Sequence, residues 1–315
     1  MSLGTLSRAR RCGLAALRKT LQTPLLRNAY ALALNDGTNA ALGFVYWFIA
    51  ARLYSPEQVG WGSAAVAAVM LLSGIAELRM MGAMIRFLPR AGRATLRLIV
   101  NAYLVTLVAA LLVGVAFVTG EGHWLPTLDF LRSEHGFALW LVVASIVWSI
   151  FALQDGVLIG LRQTVYVPIE NAAFGLAKIV LLALMAVWMP DIGVFGSWTI
   201  PAALAVVPVN LLIFRRLARA HTHKTEQAEE PLTRGLIARW VSCDYLASMF
   251  SLLSYTLPPI IITQRLGARD NAYFYIAWVI AWSLHLIPTS MGSSLTVEIV
   301  ADSSALREQA MQLLA

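Results

Sequence analysis

Apolar runs long enough to cross a bilayer follow one another along almost the whole chain, and nothing constrains the fold more. A hydrocarbon core of about 30 Å needs about 20 apolar residues at helical rise. Eight such runs are present, at 29–49, 58–78, 98–118, 137–158, 167–189, 193–214, 241–262 and 273–297. Of 315 residues, 59% are hydrophobic and only 13% charged, against about 45–50% and about 25% for a soluble domain. The runs leave no stretch free for a separate soluble domain. The expectation is an all-α polytopic membrane protein of about eight transmembrane helices.

The formal net charge of +7 does not mark a nucleic-acid footprint, because its distribution is topological. With an inner N-terminus, 19 of the 24 Lys and Arg fall in inner segments, among them Arg86, Arg90, Arg93, Arg97, Arg162, Arg215, Arg216 and Arg219. Only Arg52, Arg132, Arg265 and Arg269 fall outside, and Lys178 lies within a span. By the positive-inside rule both termini are cytoplasmic. Cys12 and Cys243 sit on or near that inner side, so no external disulfide is expected. The first apolar run is of full span length and has no clear cleavage site, unlike a signal peptide. Leu14, Leu17, Leu21 and Leu25 recur at helical spacing among basic residues. They read either as an amphipathic helix on the inner leaflet or as a disordered basic tail.

Most connectors are tight. The stretch TGEGHWLPTLDFLRSEHG reads as a small interfacial cap, and RRLARAHTHKTEQAEEPLTRG as a solvated linker in which His221 and His223 lack the further ligands a metal site needs. The expected organisation is a basic N-terminal segment (1–27), a six-helix lobe (28–219), the linker (220–236) and the first two helices of a second lobe (237–315). A shift of 213 residues supports this plan: Arg52-Leu53 aligns with Arg265-Leu266, Glu57-Gln58 with Asp270-Asn271, Trp61 with Phe274 and Ala64 with Ala277. Both connectors join the first and second spans of their half, as in a parallel internal repeat. The second half has two spans and ends in SSALREQAMQLLA without a helix-stop signal. That pattern leads us to expect a fragment of a longer protein, or else an eight-span chain that dimerises.

Ionisable residues inside spans are costly and mark function or pairing. Lys178, central in AFGLAKIVLLAL, must face the bundle interior, pair with Asp155 or Asp36, or meet an anionic ligand. Asn171 lies on the same helical face, and Asn28, Asn35, Asn39 and Tyr46 form a stripe on the first span that serves as interhelical glue or as a binding surface. Asp155 and Arg162 flank the inner end of the fourth span, and Glu77, Arg79 and Arg86 cluster where the second span ends. The arginines read equally as inner-leaflet anchors. Glu170 reads as solvated near the inner interface, Asp244 with Cys243 as a polar span start, and His285 as packed or part of a proton relay. There is no P-loop, HExxH, paired-acid or Ser/His/Asp pattern, so the chain does not read as an enzyme.

The run LRNAYALALNDGTNAALGFVYWFIAARLYSPEQVGWGSAAVAAVMLLSGIAEL, followed by MMGAMIRFLPRAG, resembles the polysaccharide flippases of the multidrug/oligosaccharidyl-lipid/polysaccharide exporter superfamily. The connector ARLYSPEQVG, the Gly-rich second span with IRFLP after it, and DGVLIGLRQTVYVPIENAAFGLAKIVLL carry the likeness. Arg79 departs from it, standing where relatives usually have Gly, and most of the second lobe is missing. The resemblance implies a bacterial inner-membrane protein that moves a polyprenyl-pyrophosphate-linked oligosaccharide to the outer leaflet, alongside other polysaccharide-assembly membrane proteins. Lys178, Arg86 and Arg162 would then meet the pyrophosphate, and Asn35, Asn39, Asn171 and Tyr46 the sugars. By analogy, Asp36 or Asp155 would carry a coupling H+ or Na+, with no other cofactor. The competing readings are a drug or cation antiporter, which would want intramembrane acids, a membrane-embedded polysaccharide-assembly enzyme, and an inactive partner subunit.

Overall fold

The computed structural model describes residues 24–124, 135–224 and 234–281, and these are helical with no strand. The order is α1 (Pro24–Leu53), α2 (Pro56–Glu77), α3 (Met80–Phe87), two 3-10 turns (Leu88–Arg90 and Gly92–Ala94) and α4 (Thr95–Trp124). Then come α5 (His135–Gly160), α6 (Tyr166–Trp188), α7 (Pro190–Leu212), a π-helical turn (Ile213–Leu217), α8 (Ala218–Lys224) and α9 (Arg234–Leu266). A helix over 268–281, α10, follows. Five of the described helical stretches are long and apolar enough to cross a membrane: Pro56–Glu77, Gly92–Thr119, Gly136–Gly160, Tyr166–Trp188 and Pro190–Thr222. The length of α1 also suffices, but Asn35, Asp36 and Asn39 interrupt its apolar character. Outward-facing side chains are apolar as lipid requires: Leu112 is 65% exposed and Val187 77%. The protein is an all-α polytopic membrane protein. The segment carrying Cys12, Leu14, Leu17 and Leu21, most of the cap, His285 and the remainder of the eighth run lie outside the described residues, as do the side chains of Leu25, Asn28, His223, Cys243 and Asp244.

Two buried clusters hold the bundle. One, near the end marked by Tyr54 and Ala272, joins Tyr46, Trp47, Phe137, Phe174, Trp198 and Tyr275. The other joins Met84, Leu88, Leu158, Leu161, Ile213 and Leu217 at the opposite end. Around this second cluster Arg86, Arg90, Arg93, Arg97, Arg162, Arg215, Arg216 and Arg219 are all exposed, so the structure gathers the basic connectors at one end of the bundle. His221 corrects its reading as part of a solvated linker. It is buried, and its Nε2 lies 3.2 Å from the Leu88 carbonyl, which fastens α8 onto the turn after α3.

Tyr54, Ser55 and Pro56 make the first connector rigid. Ser55 caps α2: its Oγ accepts from the Gln58 amide at 3.2 Å, and Gln58 Oε1 accepts from the Ser55 amide at 3.0 Å, a reciprocal capping box. Tyr54 donates to the Leu182 carbonyl at 2.7 Å, and Gln58 Nε2 donates to Asp191 at 3.0 Å. In the second connector Gly267 adopts φ 97, and Asn271 donates to the Gly60 carbonyl and to Ser63 Oγ, both at 3.0 Å. Gln58 and Asn271, matched by the internal alignment, thus each tie their connector to a neighbouring helix.

Leu78 and Arg79 break α2 from α3 in the left-handed conformation, at φ 48 and 58. A left-handed backbone costs a non-glycine residue about 1–2 kcal/mol, which gives a physical reason for glycine to be favoured at position 79. Arg79→Gly and Arg79→Ala remove the same side-chain contacts but differ in this strain. The glycine variant is expected to unfold with about 1 kcal/mol greater stability than the alanine variant, measurable by denaturation in detergent. Equal stabilities would show that the strain is absent.

Candidate functional site

A cavity of about 600 Å³ lies among α1, α2, α5, α6, α7, α9 and α10. Of the residues singled out from sequence, Asn35, Asp36, Asn39, Asp155, Asn171 and Lys178 line it, joined by Glu77. Arg86 and Arg162 do not. Both are exposed at the basic end, Arg86 with its guanidinium 5.8 Å from the Phe87 ring and Arg162 in a left-handed corner after α5. Tyr46 is fully buried behind the wall, its hydroxyl donating to the Val194 carbonyl at 2.8 Å and lying 3.0 Å from Ser197 Oγ. That hydroxyl is spent within the fold, so Tyr46 serves the cavity through its ring alone.

Lys178 projects from α6 with Nζ 5.1 Å from the centre of the Tyr46 ring and 5.0 Å from that of Phe174. Cation–π contact stabilises an ammonium partly withdrawn from water without exhausting its three N–H donors. Among the described residues no carboxylate pairs with it, so the ion pairs with Asp155 and Asp36 considered from sequence are not formed. Asp155 accepts instead from Asn171 Nδ2 at 3.0 Å, and the same amide donates to Asn35 Oδ1 at 3.0 Å. Asn39 Nδ2 reaches Asn35 Oδ1 and Asn35 Nδ2 reaches Asp36 Oδ1, each at 3.3 Å. The asparagine stripe is therefore both glue and lining: it pins α1, α5 and α6 together and faces the cavity.

The remaining walls are aromatic. Trp148 and Trp198 approach to 4.0 Å between centroids, Trp148 lies 5.7 Å from Phe174, and Trp47 meets Tyr275 of α10 at 4.5 Å. None of these rings is among the candidate site residues read from the sequence. Trp148, in the middle of the run 137–158, was the available signal, since membrane tryptophans otherwise concentrate at the interfaces. Glu77, at the cavity's basic end, accepts from the Met81 amide at 2.9 Å and so starts α3. Glu170 is a second correction: it is 7% exposed rather than solvated. The site thus offers one ammonium, a linked set of amides and carboxylates, and broad ring faces.

Residues 25–278 match the family described as polysaccharide biosynthesis protein. The chain belongs to that family. The match spans both connectors and every helix that lines the cavity. No curated protein and no solved structure matches the chain.

Proposed function

We propose that this member of the polysaccharide biosynthesis family is a flippase rather than an enzyme. It would carry a polyprenyl-pyrophosphate-linked oligosaccharide from the cytoplasmic to the outer leaflet of a bacterial inner membrane, with its basic end in the cytoplasm. The observation that carries this reading is Lys178. Its ammonium faces the cavity, is held by ring faces rather than by an acid, and so keeps its charge and donors for an anionic group. The amides of Asn35, Asn39 and Asn171 supply donors and acceptors for sugar hydroxyls, and the tryptophans supply flat apolar faces. The two connectors are the outer hinges of two lobes that rock about this cavity.

Asp36, Glu77 and Asp155 also line the cavity and outnumber Lys178. This favours one second reading, a cation antiporter, in which the carboxylates would hold the cargo. Deletion of the gene separates the two. A flippase mutant loses surface polysaccharide and accumulates the lipid-linked precursor. Unchanged surface polysaccharide with altered sensitivity to cationic compounds would replace the flippase reading with the antiporter.

A further inference from the structure

Away from the central cavity, α4, α5, α6 and α7 carry buried polar atoms that have no hydrogen-bond partner among the described residues. Glu170 on α6 is buried, and neither of its carboxylate oxygens has a hydrogen-bond partner among the described residues. The neighbouring Asn171 donates to Asp155 Oδ2 and so holds Asp155 of α5 against this part of α6, while Asp155 Oδ1 is buried and unpaired. Gln154, fully buried beside Asp155, spends its Nε2 on the Val206 carbonyl of α7 at 3.0 Å, leaving Oε1 unpaired. One turn beyond Val206, Asn210 Oδ1 is unpaired too. A further turn on, Phe214 packs its ring 5.8 Å from that of Tyr103 on α4. The hydroxyls of Tyr103 and of Thr106, three residues along the same face, likewise lack partners. Tyr103, Asp155 and Glu170 lie within one another's electrostatic reach.

The inventory is lopsided. Five unpaired acceptor oxygens, on Gln154, Asp155, Glu170 and Asn210, face two hydroxyls, those of Tyr103 and Thr106. Unpaired buried acceptors next to a carboxylate are unfavourable unless positive charge reaches them. An all-oxygen set suits a hard cation. The π-helical turn of α7 begins at Ile213, just past Asn210, and such turns mark functional stretches of helices.

We propose that Glu170 is the seat of a single monovalent cation, a sodium ion or a proton, held with the oxygens of Asp155, Gln154, Asn210 and Tyr103. The position differs from the Asp36 and Asp155 pair considered from sequence. Asp36 is exposed to the central cavity, whereas Glu170 does not line it. Asp155 is shared: one oxygen binds Asn171 in the cavity wall and the other is buried without a partner among the described residues. Cation occupancy at Glu170 therefore bears on the hydrogen bonds that join α1, α5 and α6. As a coupling site Glu170 rests on the transport reading above; as a cation site it does not.

The test uses the purified full chain in nanodiscs, without glycan substrate. In one arm, thermal stability and radioactive sodium binding are measured in sodium against potassium at constant ionic strength. In the other, infrared difference spectra follow neutral carboxyl groups as pH is raised without sodium. A sodium-specific rise in midpoint, with affinity weakened about tenfold or more in Glu170→Gln, assigns sodium. A titrating carboxyl band absent from Glu170→Gln and unmoved by sodium assigns a proton. Tyr103→Phe is expected to weaken either signal while leaving the carboxylate in place, which keeps the test decisive if Glu170→Gln does not fold. A wild-type chain with neither signal, or with signals that both variants retain in full, overturns the proposal. Glycan export does not enter these measurements, so failure of the flippase reading leaves their outcome standing.

Discussion

Lys178→Met is expected to cut glycan export by about tenfold or more while leaving as much protein in the membrane as before, or more. The two effects have opposite signs because one buried charge causes both. A lysine at the centre of a span costs about 2.5–3.5 kcal/mol on insertion scales, and among the described residues the faces of Tyr46 and Phe174 offset that cost. Methionine keeps the length and fills the same gap between the rings without the charge, so the variant should resist heating better. It also removes the one lysine or arginine that lines the cavity among the described residues. A charge-assisted contact to phosphate worth about 1.5–3 kcal/mol corresponds to a loss of about tenfold or more in handling the substrate. Lys178→Arg tests the geometry. It keeps the charge, but its planar guanidinium stacks differently between two rings, so partial export is expected. The measurements are surface polysaccharide per cell, the lipid-linked precursor pool and the amount of inserted protein, taken on the same cultures. Normal export by the methionine variant would remove Lys178 from the site and leave its burial unexplained.

Much of this was legible in the chain because bilayer physics writes directly into sequence. Span positions follow from hydrophobic length, and clustering of the basic connectors at one end follows from charge asymmetry. The expected runs at 58–78 and 167–189 correspond to α2 and α6 within a few residues. The polar stripe on the first span was also readable, since a membrane helix does not carry Asn35, Asp36 and Asn39 on one face without a use for them. What could not be read was what each group touches. Nothing local distinguishes Arg86 and Arg162, exposed at the basic end, from cations aimed at the cavity, because both uses favour arginine near a span end. Glu170 was misread for the same reason: its sequence position suggests the interface, and its burial comes from packing that position alone does not reveal. Tyr46 falls on the asparagine stripe, yet its hydroxyl is captured by Val194 and Ser197 of α7, about 150 residues away. The short α3 after Glu77 was missed because the break depends on two left-handed residues, neither of them glycine.

The other large effect belongs to the paired connectors. Gly60→Val is expected to force them apart and open the cavity at the end opposite the arginines. A Cβ at position 60 would fall onto the Ala268 carbonyl, a backbone group that cannot rotate aside as a flexible side chain does. The chain must then separate α2 from the start of α10, and the two hydrogen bonds that Asn271 makes to Gly60 and Ser63 are lost with the contact. Overpacking costs about 1–3 kcal/mol and each buried hydrogen bond about 1 kcal/mol, so the closed connector is disfavoured by about 3–5 kcal/mol. An equilibrium between two lobe positions needs only about 5.5 kcal/mol to swing from almost all of one to almost all of the other. The expected result is therefore a change of conformational population rather than an unfolded protein. Ala64→Cys in a background lacking Cys12 and Cys243 reports it, since Ala64 is buried beside the connector. A membrane-impermeant maleimide should label it slowly with glycine at position 60 and quickly with valine, and export should fall because the cycle stalls with that end open. Asn271→Ala removes the hydrogen bonds without adding bulk and should give a weaker version of both effects. Unchanged labelling in the valine variant would mean that the Gly60–Ala268 contact does not close the cavity, and the hinge would have to lie elsewhere, with the π-helical turn of α7 the next place to look.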